Sequence, residues 1–252
     1  MRTDTGDNSA IGGFVISGSA PKRVLIRGLG PSLTQFGFPT SELLADPTLE
    51  LHGPDGFAPV SNNDWKDSQE AQIQGTGLAP SHNLEAAIDV TLSPGSYTAI
   101  LRGNGIGVGV GLVEVYDLNT AASKLGNLST RAFVRTGNNV VIAGFTLGNN
   151  GGNDRIVVRG LGPSLAAFGI SDSLQDPTLE LRNQNGTLFA SDNDWTDDAV
   201  QAADITVAGL APSNPKESAI AVALAPGAYT AILAGANSGQ GVGTVEVYDR
   251  GP

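Results

Sequence analysis

RGLGPSL, residues Arg27 to Leu33, recurs without a change as Arg159 to Leu165. Outward from the two copies the match continues on both sides. TGDNSAIGGFVISG (5–18) answers to TGNNVVIAGFTLGN (136–149), KRVLIRG to DRIVVRG, and DPTLEL (46–51) to DPTLEL (176–181). Further on, SNNDW (61–65) answers to SDNDW (191–195), GLAPSHNLEAAI to GLAPSNPKESAI, and VEVYD (113–117) to VEVYD (245–249). The period is about 130 residues, far beyond the roughly 20–50 of solenoid repeats, so each copy has the size of a domain. The expected division is 1–118 for the first copy, 119–131 for a linker and 132–252 for the second.

Within each copy the punctuation is that of an all-β chain. The 34 Gly and 14 Pro residues separate short runs of Val, Ile, Leu and Thr. Strands are predicted at Ala10–Ser17, Lys22–Arg27, Thr48–His52, Phe57–Ser61, Glu85–Leu92, Ser96–Arg102 and Gly109–Asp117, with counterparts in the second copy. Very little helix is expected. Short strands in this number and spacing predict two tandem antiparallel β-sandwich domains of jelly-roll-like type. The stretch after RGLGPSL has no clean period and reads as a crossing between sheets with a helical turn. In the phrase itself a strand ends at Arg27, because Gly28 and Gly30 loosen the backbone and Pro31 cannot donate to a ladder. RGLGPSL therefore reads as a corner at a sheet edge. No long helix or GK[ST] follows it, so it is not a phosphate loop.

Composition narrows the function. A formal net charge of −11, with 14 Lys and Arg against 25 Asp and Glu, removes the basic surface on which nucleic-acid binding depends. No apolar run reaches the roughly 20 residues of a membrane helix, so neither nucleic acid nor membrane insertion is expected. Cys is absent, which excludes a disulfide framework. His52 and His82 are the only histidines, and Arg182 and Asn214 stand in their places in the second copy. A nucleophile activated by histidine cannot be common to both halves, and no catalysis is expected.

The recurring charged residues are Arg27 and Arg159, Glu50 and Glu180, Glu114 and Glu246, and Glu85 and Glu217. A carboxylate pair for glycoside hydrolysis is one reading. The simpler reading is an Arg–carboxylate bridge between strands, with Glu114 or Glu50 as the partner of Arg27. Trp65 and Trp195, the only tryptophans, read either as plugs over the core or as stacking platforms for a sugar. The loops around them hold the candidate metal ligands: Asn62, Asn63, Asp64 and Asp67, then Asp192, Asp194, Asp197 and Asp198. Calcium takes oxygen donors of this kind, although the same residues also build turns.

The DPTLEL strand, the GPDG or NQNG turn, the SNND or SDND loop, the L-x-P-G-x-Y-T strand and the closing VEVYD strand together resemble bacterial pre-peptidase C-terminal domains. The likeness covers about the last two thirds of each copy. The chain as a whole, with NLSTR at Asn127–Arg131, resembles tandem repeats of large secreted or surface proteins of environmental bacteria. The resemblance implies a non-catalytic β-sandwich of extracellular or cell-surface location, with its export signal outside these residues. It also implies, for some relatives, calcium-assisted binding of matrix polymers.

The expected function is an extracellular structural or adhesive repeat protein. Its partners would be further copies of itself joined head to tail as a filament or surface array, or other surface proteins. Met1 aligns with Ala132, so the first copy lacks the residues that lead into the second, and an incomplete sheet edge invites strand addition. The alternative is a calcium-dependent polysaccharide- or matrix-binding module centred on the Asx-rich loops and the tryptophans. No cofactor is otherwise required.

Overall fold

The computed structural model describes residues 1–4, 9–119, 123–137, 139–148 and 152–252. Its strands are antiparallel and fall into two compact units, Met1–Gly126 and Asn127–Pro252.

The first unit contains β1 (Arg2–Thr3), β2 (Ala10–Gly18), β3 (Lys22–Leu29), β4 (Pro47–His52), β5 (Val60–Asn62), β6 (Ala86–Leu92), β7 (Gly95–Gly103), β8 (Gly109–Val110) and β9 (Leu112–Asp117). One sheet has the order β6-β3-β9, and the facing sheet runs β2-β7-β4-β5. Arg27 lies opposite Glu114 across β3 and β9, and Phe14 lies opposite Tyr97 across β2 and β7. Val24, Ile26 and Ile88 from the first sheet meet Phe14, Ile16, Leu49, Leu51 and Leu101 from the second in one buried cluster. The strand alternation in sequence places these residues inward, and their burial supplies the stabilisation of the sandwich.

The β3 run VLI is apolar at every position because the strand is covered on both faces. Val24 and Ile26 enter the main core. Leu25 points the other way, into a smaller cluster with Trp65, Ala87 and Ile73 of a short helix, α1 (Glu70–Gly75).

A long strand, β10 (Ser123–Val134), contributes residues to both units. Its beginning lies beside β2; there the Ser123 hydroxyl donates to the Ala20 carbonyl and accepts from the Ala20 amide, and Leu125 packs on the first core. The remainder belongs to the second unit, with β11 (Val141–Leu147), β12 (Asp154–Leu161), β13 (Pro177–Asn183), β14 (Leu188–Asp192), β15 (Ser218–Leu224), β16 (Gly227–Gly235) and β17 (Gly241–Asp249). Its sheets run β15-β12-β17-β10 and β11-β16-β13-β14. A second helix, α2 (Ala199–Val207), places Ile205 over Val157 as Ile73 lies over Leu25.

Two expectations are corrected. Residues 119–131 do not form a linker throughout, since β10 begins at Ser123. Ser123 is buried, and so are Thr130, Ala132 and Val134, so the inward parity changes between the two parts. Gly126 and Asn127 mask that change because both read as turn residues. The strand placed at Phe57–Ser61 is instead Val60–Asn62. Phe57 sits before Pro59 and packs edge-on against Tyr97 with ring centroids 5.6 Å apart.

Candidate functional site

The RGLGPSL corner is built around a buried carboxylate. Glu85 has no exposed surface. Its Oε1 accepts from the Gly30 amide at 3.0 Å, the Ser32 amide at 2.9 Å and the Ser32 hydroxyl at 2.6 Å. The second unit repeats the arrangement: Glu217 Oε1 accepts from the Gly162 and Ser164 amides at 3.0 and 2.9 Å and from the Ser164 hydroxyl at 2.5 Å.

Each letter of the phrase then has a cause. A Cβ on Gly30 would sit 2.0 Å from the Leu44 carbonyl oxygen, and one on Gly28 would sit 2.8 Å from both Leu49 and Leu101. Pro31 opens a 3-10 turn, Pro31–Phe36, where a missing N–H costs nothing. Ser32 supplies two donors to the carboxylate, and Leu29 and Leu33 close a small apolar cluster with Leu43. A serine beside a carboxylate could suggest nucleophilic chemistry. Here Ser32 is 8% exposed and the carboxylate oxygen already holds three donors, so the pair fixes the backbone.

Arg27 turns outward on the same strand. Its Nε donates to Glu114 Oε2 at 2.8 Å, and Nη2 contacts the same oxygen. Nη1 donates to the Leu78 carbonyl at 2.6 Å and Nη2 to the Tyr116 hydroxyl at 2.9 Å. The guanidinium also lies 4.9 Å from the Tyr116 ring centroid. Arg159 reproduces the set with Glu246, the Leu210 carbonyl and Tyr248. Burial, followed by the adjacent Glu charge, pushes both phenols above their ordinary pKa.

Glu50 is not the partner of Arg27. It pairs with His52 at 2.6 Å and Arg102 at 3.3 Å on the other sheet, while Glu180 pairs with Arg182 at 2.6 Å. Between the core residues Leu49 and Leu51, Glu50 faces out from β4, and Glu114 joins Arg27 on the outside of β3 and β9. The two carboxylates lie on the outer faces of different sheets and cannot flank one glycosidic bond.

Trp65 is a plug: it is 5% exposed, its indole N–H donates to the His82 carbonyl at 3.2 Å, and Lys66 Nζ lies 5.0 Å from its ring centroid. Trp195 donates in the same way to the Asn214 carbonyl at 3.2 Å and is partly buried against the cluster of Val157, Ile205 and Ala219.

The Asx-rich loops form part of the same cap. Asn62 Oδ1 accepts from the Ala87 amide at 2.8 Å, and Asp192 Oδ2 accepts from the Ala219 amide at 2.8 Å. Asn62 also donates to the Asp64 carbonyl, and Asn63 to Asp64 Oδ1. Asp198 caps α2 through the amides of Val200 and Gln201. Asp67 closes a turn on Asp64 and Asp197 one on Asp194 through their backbones.

Burial pushes the Asp64 carboxyl up, and the charges of Asp67 and Asp46 add to this. Asp192 is raised by burial and then by Asp197 and Asp194. Among the described residues no three Asp, Glu or His side chains are grouped to hold a metal. Four buried oxygens nevertheless accept no hydrogen bond: Oδ1 of Asp46 and Asn63 in the first unit, and Oδ1 of Asp176 and Asp194 in the second.

An open hollow of about 280 Å³ lies above β4 and β5, lined by Glu50, Asn62, Asn63 and Arg102. Its counterpart of about 530 Å³ is lined by Glu180, Asp192, Asp197 and Gln201.

Two features escaped the sequence. The bonds from Glu85 and Glu217 to the corner join residues more than 50 positions apart, and only the recurrence of the Glu could have drawn notice to them. Asp46 and Asp176 recur before PTLEL, a signal present in the repeat alignment itself.

No protein-family model matches the chain, and no curated protein is similar to it in sequence. Among solved structures, one titled as the atomic structure of Sulfolobus Turreted Icosahedral Virus is 10% identical. That alignment covers 99% of this chain and 88% of the other, with a TM-score of 0.27. A second, titled as the major capsid protein (MCP) of STIV, is 13% identical over 99% of this chain and 90% of that one, at 0.24. At TM-scores this low neither structure informs the function of this chain.

Proposed function

We propose that this chain is a non-catalytic structural repeat protein that assembles end to end in an extracellular or cell-surface array. The observation that carries the reading is β10, a single strand that serves two successive copies of the fold. Its beginning lies beside β2 of the first unit, where Phe14 and Ile16 are 2% and 1% exposed, and its remainder pairs along β17 of the second. A strand that leaves one copy and completes the next is a connection that can repeat head to tail, and contacts of that kind extend instead of closing.

Support for a non-catalytic role comes from the recurring carboxylates, which are engaged by structural donors. The test is light scattering and negative-stain imaging across a concentration series. The reading expects elongated assemblies that grow with concentration; a monomer at every concentration would overturn it.

A second reading, a calcium-assisted polysaccharide or matrix module, is favoured by the unpartnered Oδ1 of Asp46, which recurs at the equivalent Asp176, with a further unpartnered oxygen in each Asx-rich loop. Carboxylate and amide oxygens are the donors that calcium takes, and Asp46 with Asn63, or Asp176 with Asp194, would hold it, water completing the shell. A rise in melting temperature with calcium, lost in Asp46→Asn and Asp176→Asn, supports this reading. A melting temperature indifferent to calcium counts against it.

A further inference from the structure

We propose that Asn185 is a self-modifying site: the Gly186 backbone nitrogen displaces its side-chain amide as ammonia, and the isoaspartate that follows loosens the edge strand β14. The site stands apart from the assembly reading above and shares no residue with it.

Two Asn–Gly pairs occur among the described residues, Asn104–Gly105 and Asn185–Gly186. The second lies in the turn between β13 and β14, where Asn185, Gly186 and Thr187 are all exposed. Among the described residues the Asn185 side chain has no hydrogen-bond partner; only its backbone amide is engaged, donating to Asn183 Oδ1 at 3.0 Å. Gly186 sits at φ +75°, and a Cβ there would meet nothing within 4 Å, so no side chain shields its nitrogen. One bond guards that nitrogen, which donates to the Asn183 carbonyl at 2.9 Å. An exposed turn opens locally at little cost, and opening frees the nucleophile. Asn104 is exposed as well but is held differently. Its Nδ2 donates to Asp46 Oδ2 at 3.0 Å and its backbone amide to the Asp46 carbonyl at 2.8 Å. The amide that would leave is pinned there, and the carboxylate beside it opposes the negative charge that develops on attack.

In the step itself the Gly186 N–H gives up its proton, the nitrogen bonds to Asn185 Cγ, and the Cγ–Nδ2 bond breaks as ammonia leaves. A five-membered succinimide then joins the two residues. Water opens it at either carbonyl. Opening at Cγ gives an ordinary aspartate; opening at the backbone carbonyl gives isoaspartate, whose main chain runs through Cβ and Cγ and is one carbon longer.

The turn distinguishes the two products. The first copy already carries Asp55–Gly56 at this place, with Gly56 at φ +87°, so an ordinary aspartate fits. The longer isoaspartate does not. Asn183 Oδ1 accepts from the amides of Asn185 and Thr187 at 3.0 and 3.1 Å, the Asn183 amide donates to the Thr187 carbonyl at 3.0 Å, and Arg182 Nη1 donates to the Gly186 carbonyl at 2.8 Å. A carbon added between residues 185 and 186 puts these bonds out of register at the entry to β14, which has a sheet neighbour, β13, on one side only. Asp192 at the far end of β14 holds the Ala219 amide, so the loosening reaches β15.

The test incubates the full chain at neutral pH and follows each Asn–Gly pair by peptide mapping, Asn150–Gly151 included, with an isoaspartyl methyltransferase to count isoaspartate. Asn185 is expected to convert about tenfold or more faster than Asn104, which must first give up a bond to a carboxylate. Its conversion should quicken as pH rises, because the attacking nitrogen must lose a proton. Hydrogen exchange across Leu188–Asp192 should speed up in the aged chain. It should stay slow in fresh Asn185→Asp and in aged Asn185→Gln, whose longer side chain closes a six-membered ring far less readily. An Asn185 that stays intact in the folded chain while the urea-unfolded chain converts overturns the proposal, and so does an Asn104 that converts as fast. Unchanged exchange in an aged chain rich in isoaspartate overturns the link to β14.

Discussion

Replacing Glu85 with Ala should be among the most damaging single changes in the first unit. The side chain is fully buried, and one oxygen holds two backbone amides and a hydroxyl at 2.6–3.0 Å. Removal leaves the Gly30 and Ser32 amides without an acceptor, at about 1–3 kcal/mol for each buried donor. The Ser32 hydroxyl can rotate, and water entering the vacated space can recover part of the loss. The expected cost is about 3–5 kcal/mol, a large fraction of a domain's roughly 5–15 kcal/mol. Glu85→Gln keeps an acceptor at the corner but turns an amide toward the His82 N–H, which now faces Oε2 at 3.4 Å. It should cost less, about 1–2 kcal/mol.

The assay is urea unfolding followed by tryptophan fluorescence. Each unit holds one tryptophan, and the Trp65 amide bonds to the Glu85 carbonyl at 2.8 Å, so a Trp195→Phe background reports the first unit alone. Ser32→Ala closes a double-mutant cycle with Glu85→Ala, and the two losses should be markedly non-additive because they share one bond. A loss below about 1 kcal/mol in Glu85→Ala would refute the reasoning, since it would mean that the corner amides find other partners at no cost.

The other predictions use the duplication as a control. Gly162→Ala places a Cβ 2.0 Å from the Leu174 carbonyl oxygen; the second unit should lose more than about 3 kcal/mol, or fail to fold, while the first unit's urea transition stays in place. Arg27→Lys should cost about 1–2 kcal/mol by the same unfolding assay, because one ammonium cannot serve Glu114, the Leu78 carbonyl and Tyr116 together.

Asp192→Asn should stabilise the second unit by up to about 1 kcal/mol at neutral pH, since the site is half-exposed and screened. The sign follows from the raised pKa. The folded state prefers the protonated acid, so that contribution is present below the unfolded pKa and is lost as pH rises through the folded one. The variant's advantage in urea melts should therefore vanish on acidification below roughly pH 4. Asn62 already occupies this position in the first unit with the same bond to a strand amide.

Local chemistry made much of the fold legible. Val24 and Ile26 alternate as core residues should, and the Arg27–Glu114 pair was one of two partners open to sequence reasoning. The strand expected to end at Arg27 runs on through the paired Gly28 to Leu29 and stops only before Gly30 and Pro31. For Trp65 the sequence left plug and platform side by side, and its burial at 5% exposure decides for the plug. What stayed hidden depends on distance along the chain or on parity. Glu85 reaches the corner from beyond an intervening sheet crossing. In β10 the inward positions change parity near Gly126, so two good half-strands read as one poor linker. The Asx-rich loops were ambiguous because the same oxygens that attract calcium also cap helices and bond backbone amides: Asp198 caps α2, while Asn62 and Asp192 hold the amides of Ala87 and Ala219, more than twenty residues away.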